Sequence, residues 1–435
     1  MSIENASNSG EHAFHPVPVL VTRLFLLLTL SLAFMQPATA LLGFTAVPTD
    51  FLFLALMLAW LGALATGRTR FVWHKAYWLL GAYLAAMVAS ALATDDPARA
   101  VPKLLTQVYL LSLAVLARNI VRTSEDLRSA LRWWLIGAAA VAAVALISLI
   151  AFVIDPNSII LDYTRFHFGT LPPGSYPRLR MTFLNANMAC NYLTVSLVIL
   201  FIVWRLGWIA RNHFLLLLAG IAIAAAFTLS PGLGGIGLAA ALWMWMRKRG
   251  SAAAPVLLAA GLFVGLLFVV AMAVTPIAHP TAPFSMHVFG VELYPAGRLM
   301  IWMDALRNFL TDPLLGRGIG AESVRVPYQS PSGHLQRLTD AHNTFLNIAV
   351  QCGLVGLTAL LAILGYVWKR STPFRLSAAN PNTARTGLGL AFLIAFAYEG
   401  LGGSFEDARH LWVLFGLFLA SGRLAEATDP PRHPG

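Results

Sequence analysis

Charge is scarce in this chain, and cysteine scarcer still. Only 11% of its 435 residues are Asp, Glu, Lys or Arg, and its two cysteines, Cys190 and Cys352, lie inside or at the edge of apolar runs. Two separated thiols in such places supply neither a disulfide framework nor a zinc cluster. The sequence has no GxxxxGK[ST] to cradle phosphates, no HExxH, no CxxC and no GxSxG. ATP-driven action by this chain alone and redox chemistry therefore have no support. Acidic residues are also short, 19 against 30 Lys and Arg, for a net charge of +11.

What the chain has instead is hydrocarbon. Its residues are 58% hydrophobic, its mean hydropathy is +0.71, and apolar runs recur from Val17 to Leu424. Each crossing of a bilayer core roughly 30 Å thick needs about 20 such residues. A water-soluble catalytic domain is excluded, and the expected fold is an all-α polytopic membrane protein. In that setting the excess of basic residues speaks of topology and anionic partners rather than nucleic acid.

About twelve transmembrane helices are predicted, near 17–36, 49–66, 76–93, 100–118, 129–154, 183–206, 213–229, 232–246, 254–275, 342–368, 384–402 and 409–424. Ala38-Thr39-Ala40 imitates a signal-peptidase site after the first, but Glu4 and Glu11 precede that helix, which argues for an uncleaved first span. The positive-inside rule places both termini in the cytoplasm, with Arg68, Arg118, Arg122, Arg247, Lys369 and Arg385 on the same side. The division is then 1–275 with nine spans and a periplasmic loop near 155–182, a loop domain at 276–341, and 342–435 with three spans and a cytoplasmic tail. The loop of 276–341 is too long for a bare connector and should hold structure of its own. Within it, Ile301, Trp302, Leu306, Phe309 and Leu310 mark an amphipathic helix from Arg298, stopped by Asp312-Pro313 and expected along the outer membrane face.

Orientation does not explain the arginines left on the outer side. Arg178 and Arg180 precede the sixth span, and Arg298 opens the amphipathic helix. Guanidinium forks match phosphate oxygens, and a helix N-terminus adds partial positive charge beside Arg298, so a pyrophosphate group fits. Headgroup snorkelling is the competing reading and is favoured for Arg307, Arg325 and Arg337. The acidic pairs Asp95-Asp96 and Glu406-Asp407 each offer two carboxylates, fewer than a hard cation wants, and are expected to be solvated loop ends. His342 is expected at the outer mouth of a helix, on one face with Leu346, Gly353 and Gly356. Its imidazole titrates in the range where it can take a proton, though a histidine that only anchors a helix end has the same signature.

The run Gly297-Arg298-Leu299-Met300-Ile301-Trp302 through Asp312-Pro313-Leu314-Leu315-Gly316 to Gly320, followed by His342-Asn343, Leu346, Gly353 and Gly356, resembles the O-antigen ligase and polymerase superfamily. Arg178, Phe183, Asn185 and Asn187 resemble its upstream motif. The resemblance implies a GT-C-like, metal-independent, inverting glycosyltransferase of the bacterial inner membrane, needing no cofactor, with its active site on the periplasmic side. It implies undecaprenyl-pyrophosphate-linked O-antigen as donor and lipid A-core oligosaccharide as acceptor. It also implies His342 as general base, Arg178, Arg180 and Arg298 around the donor pyrophosphate, and Asn187, Asn343 and Trp302 in support. The chain departs from the pattern at Met181, where glycine is common, at Ala186, at Gln351, where an acidic residue is expected, and at Ser230-Pro231, where Ser-Arg is familiar. An O-antigen polymerase or a protein O-oligosaccharyltransferase needs the same base and cations. A transporter of lipid-linked sugars would bind pyrophosphate without turnover, and Glu399 is the clearest charge inside a span that would favour it.

Overall fold

The computed structural model describes residues 16–41, 44–94, 96–166, 177–230, 232–247, 286–288, 291–293, 296–329, 335–371 and 382–428. The elements run α1 (Val19–Ser31), β1 (Thr39–Leu41), β2 (Phe44–Ala46), α2 (Pro48–Ala65), α3 (Tyr77–Leu92), α4 (Pro97–Ile120), α5 (Ser124–Ile154), α6 (Ile159–Thr164), α7 (Ala186–Arg205), α8 (Arg211–Ala226) and α9 (Leu233–Arg247). They continue with β3 (Met286–Val288), β4 (Val291–Leu293), α10 (Ala296–Thr311), β5 (Val326–Gln329), β6 (Leu335–Leu338), α11 (Thr344–Ser371), α12 (Thr383–Phe392) and α13 (Arg409–Thr428). A π-helical turn, Leu393–Tyr398, and a 3₁₀ turn, Glu399–Leu401, extend α12.

Helices thus stand where eleven of the twelve apolar runs predict them, and the run at 254–275 lies outside the described residues. Among the described residues, five helices, α2, α4, α5, α7 and α11, are long and apolar enough to cross a membrane, while α1, α3 and α8 are shorter apolar helices. The molecule is a mostly helical, polytopic membrane protein. Its outer surface fits that solvent, since Ile147, Ile150, Val153 and Ile154 of α5 and Leu54, Leu58 and Leu61 of α2 are exposed, a pattern that lipid satisfies and water does not.

The helix starts are set locally. Thr123 and Asp126 form a reciprocal capping box at α5, and Asn185 accepts the Met188 N–H to start α7, each satisfying donors that a helix leaves open. Pro48 and Pro97 occupy first helical positions, where a missing N–H costs nothing. The core is built around α4, α5, α7, α13 and α12 with its π-helical extension, where Trp134, Tyr192, Phe392, Phe396, Trp412 and Phe415 are fully buried. At Gly416 of α13 an added Cβ would lie 2.5 Å from the Ala114 carbonyl of α4, so the two backbones touch, as small residues allow in membranes.

Three expectations need correction. The described residues include three two-stranded antiparallel hairpins, β1–β2, β3–β4 and β5–β6, which the apolar runs do not announce. The helix at the histidine motif does not include His342 and is not one face of regular helix. It begins at Thr344, and Gly353 interrupts it with φ +63° and ψ −164°. The segment after α10 fills that break: Leu354 donates to the Pro313 carbonyl at 2.8 Å and Arg317 donates to the Val350 carbonyl at 2.8 Å. Gly353 therefore serves a helix break rather than helix-on-helix packing, because a Cβ there would sit 2.1 Å from the Leu314 carbonyl oxygen. The predicted amphipathic helix, by contrast, is α10 as read. It buries Ile301 and Ala305 with Val324, Ala341 and Val350 and leaves Met303, Leu306 and Leu310 exposed along one stripe.

Candidate functional site

The site is built at one end of the bundle, where α7 and α11 begin. Asn343 caps α11, accepting the N–H groups of Phe345 at 3.0 Å and Leu346 at 3.1 Å while donating to the Leu401 carbonyl at 3.1 Å. Thr344 reaches across to the loop before α13, donating through Oγ1 to the Gly403 carbonyl at 3.0 Å and accepting the Phe405 N–H at 2.9 Å. These ties fix His342 in the turn that precedes the helix, in the left-handed region at φ +47°. A residue with a Cβ holds that conformation only where its surroundings impose it, and such positions cluster at functional sites. The His342 side chain is about one-third exposed.

A polar network backs the histidine. Asp340 accepts the His342 N–H at 2.6 Å, and its Oδ1 lies 3.3 Å from His342 Nδ1. Asn347 Nδ2, with two protons to donate, lies within hydrogen-bond distance of three oxygens, Asp340 Oδ2 at 2.8 Å, Ser404 Oγ at 2.8 Å and Glu406 Oε1 at 3.1 Å, while its Oδ1 accepts the Ala341 N–H at 2.9 Å. Ser404 closes the ring by donating to Asp340 Oδ1. Behind Glu406, Asp407 pairs with Lys103 and accepts from Gln107 at 2.6 Å. The expected solvated acidic pair is thus corrected: Glu406 is 3% exposed. Burial, with the nearby charges of Asp407 and Asp340, outweighs the pull of Lys103 and lifts its carboxyl to about 8 from an ordinary 4.5.

Trp302 joins α10 to this centre. Its indole N–H donates to the Ala341 carbonyl at 3.1 Å. Arg298 lies one helical turn earlier on the same face of α10, so the N-terminal turn of that helix is tied to the backbone beside His342. Trp302 and Asn343, expected in support, are positioned as a tether and a helix cap.

The other two arginines are held on different elements. Arg178 is 5% exposed, donates to the Thr228 carbonyl at 3.0 Å and to Asn187 Oδ1 at 3.1 Å, and stacks 5.2 Å from the Phe166 ring centroid. Arg180 donates to the Tyr163 carbonyl at 3.1 Å and leans on α6. Asn187 also accepts from Ser230 at 2.9 Å, so the serine that remains of the Ser-Arg motif braces the Arg178 corner. The departure at Met181 has a backbone counterpart, since Met181 at φ +52° adopts the left-handed region that favours glycine, as does Leu229, beside Ser230, at φ +45°. One turn along α7 from Asn187, Asn191 donates to buried Glu399 at 2.8 Å and pairs with His410 at 2.7 Å. Two residues past Glu399 stands the Leu401 carbonyl that holds Asn343. The Arg178 corner and the histidine turn are therefore linked through the π and 3₁₀ turns after α12.

Several of the arginines expected on the outer side have structural work. Arg409 grips Asp50 with two bonds, at 2.7 and 2.9 Å, locking the start of α13 to that of α2. Arg325, expected to snorkel, instead donates to Glu322 at 3.0 Å, as Arg99 does at 2.8 Å. Gln351, at the position expected to be acidic, accepts the Gly320 N–H at 3.1 Å. The sequence held a signal for the missed network: Asn343, Asn347 and Gln351 recur every fourth residue, a polar stripe on an apolar helix. No group of three or more His, Cys, Asp or Glu arranged to hold a metal ion occurs among the described residues.

The arrangement is that of a helical membrane protein in which His342 is backed by a polar frame and Arg178 and Arg180 are held on separate elements. A family model described as O-Antigen ligase matches residues 214–361, from α8 to the middle of α11. Over that stretch the chain is similar to O-antigen ligases, in line with the motifs around Arg298 and His342. No curated protein matches the chain.

Proposed function

We propose that the protein is an O-antigen ligase. It moves O-antigen polysaccharide from undecaprenyl pyrophosphate to a sugar hydroxyl of lipid A-core oligosaccharide, at the periplasmic face of the bacterial inner membrane. The observation that carries the reading is the Trp302 to Ala341 hydrogen bond, 3.1 Å long, because it ties the first turns of α10, with Arg298, to the turn bearing His342. In the reaction His342 takes the proton of the acceptor hydroxyl as its oxygen attacks the anomeric carbon. The bond from that carbon to the pyrophosphate oxygen breaks, and the configuration inverts. General-base help of this kind is worth roughly 10²- to 10⁴-fold.

Charge grows on the departing pyrophosphate, and guanidinium groups aimed at it act most strongly in the transition state. Arg298 and Arg180 supply that charge, with Arg178 fixing the Asn187 corner, so the step is written without a divalent ion. A donor carrying a long isoprenoid chain stays in the bilayer, since each buried CH₂ contributes about 0.8 kcal/mol, and the acceptor lipid is anchored likewise. Both substrates therefore meet the enzyme at the membrane boundary.

The test is reconstitution of the purified protein with an undecaprenyl-pyrophosphate glycan and lipid A-core in the presence of EDTA. Glycan on the core is the expected product. Longer lipid-linked chains with an unmodified core would make the protein a polymerase instead. Arg298→Lys keeps the charge and loses the fork, and is expected to lower turnover about tenfold or more, as bidentate recognition requires.

A further inference from the structure

We infer that Asp340 is the positioning residue of the site: its carboxylate holds the His342 ring with Nδ1 turned toward it, leaving Nε2 to receive the acceptor proton. The inference rests on the proposed role of His342 as base. Asp340 does more than close a turn. Its Oδ1 accepts the His342 N–H at 2.6 Å, which is the ordinary Asx turn that either Asp or Asn makes. Its Oδ2 accepts from Asn347 at 2.8 Å, and Ser404 donates to Oδ1, so the carboxylate is held against rotation from two other elements. His342 Nδ1 stands 3.3 Å from Oδ1, a separation that can tighten when the ring becomes cationic. Asn347 also accepts the Ala341 N–H at 2.9 Å, so every residue of the Asp340–His342 turn is tied to this one frame.

A turn-capping role needs one oxygen and no charge. The second oxygen, held by a donor that nothing in the turn requires, is what a role in orienting an imidazole predicts. As the hydroxyl proton moves to Nε2, the ring becomes an imidazolium, and the Asp340 carboxylate stabilises it without accepting a proton itself. Among the described residues, the ionisable groups coupled to this network include Glu406, Asp407 and Lys103.

The experiment compares kcat, KM and the pH profile of Asp340→Asn with those of the unaltered enzyme in the reconstituted transfer assay. Asparagine preserves the turn and removes the charge. The expected result is a kcat lower by about 10²-fold or more, a KM little changed, and an acid limb shifted to lower pH, because a lost carboxylate no longer favours the protonated ring. In a His342→Ala background the same change should cost nothing further. An unaltered kcat and acid limb would overturn the inference, as would an equal loss in both backgrounds, which would mean that Asp340 serves the fold. Full activity of His342→Ala alone would instead remove the base, a distinguishable outcome. The exchange Asp340→Asn with Asn347→Asp restores complementary donors and acceptors but moves the charge off the histidine, and is expected to stay slow. Independent of any variant, ¹⁵N shifts of labelled histidine should show His342 protonated on Nδ1 in its neutral form. Protonation on Nε2 would contradict the assignment.

Discussion

Glu406 shows at the scale of one residue how the end of the bundle that carries His342 is balanced. Its carboxyl is raised by burial to about 8, so the folded protein keeps a proton there that the unfolded chain releases near pH 4.5. The stabilisation tied to that proton is complete below about pH 4.5 and is lost as pH rises through about 8. Thermal unfolding of the purified protein should therefore fall over that interval, and Glu406→Gln should flatten the fall; an unchanged slope would place the ionised group elsewhere. His342 was legible from its motif, and so were Arg178, Arg180 and Arg298 as candidates. Asp340 stood two residues from the histidine with no sequence reason to be chosen. What distinguishes it are Asn347 and Ser404, and Ser404 comes from a loop 64 residues away, a juxtaposition that only the folded chain makes.

Among the elements, α11 carries the most instructive departure from a regular helix. Apolar run length predicted its extent closely, because about 20 residues of hydrocarbon leave little choice but helix in a bilayer. The break at Gly353 was hidden, since glycine in an apolar run reads equally well as a packing residue. The partner that fills the break, Pro313 to Gly318, lies some 40 residues earlier in the chain. Gly353→Ala should destabilise the fold by more than the 1–2 kcal/mol, roughly, of a left-handed alanine alone, because its Cβ would overlap the Leu314 carbonyl. Gly365→Ala in the same helix meets nothing within 4 Å and should be silent. Melting temperatures of the two variants in one detergent make the comparison, and equal values would contradict the clasp. Gly235→Ala tests a second close approach, as its Cβ would come within 2.4 Å of Glu399 Oε1; loss of stability is expected, relieved by Glu399→Ala.

For the molecule as a whole, the sequence yielded a polytopic helical protein, while the hairpins and the polar frame behind His342 emerged only from the fold. Orientation is testable with little perturbation, because Cys190 and Cys352 are both fully buried and should resist labelling. A membrane-impermeant maleimide should modify Asp155→Cys from the periplasm and reach Arg68→Cys only after the membrane is opened; the reverse pattern would invert the protein. The central claim is that His342 is the base of a glycosyl transfer at the membrane boundary. It is tested most directly by single-turnover transfer from an undecaprenyl-pyrophosphate glycan to lipid A-core, comparing the unaltered enzyme with His342→Ala at saturating donor and acceptor. A rate reduced by 10² to 10⁴, on the order general-base catalysis supplies, with donor binding intact, is the predicted result. Transfer at an equal rate by the variant would contradict the account.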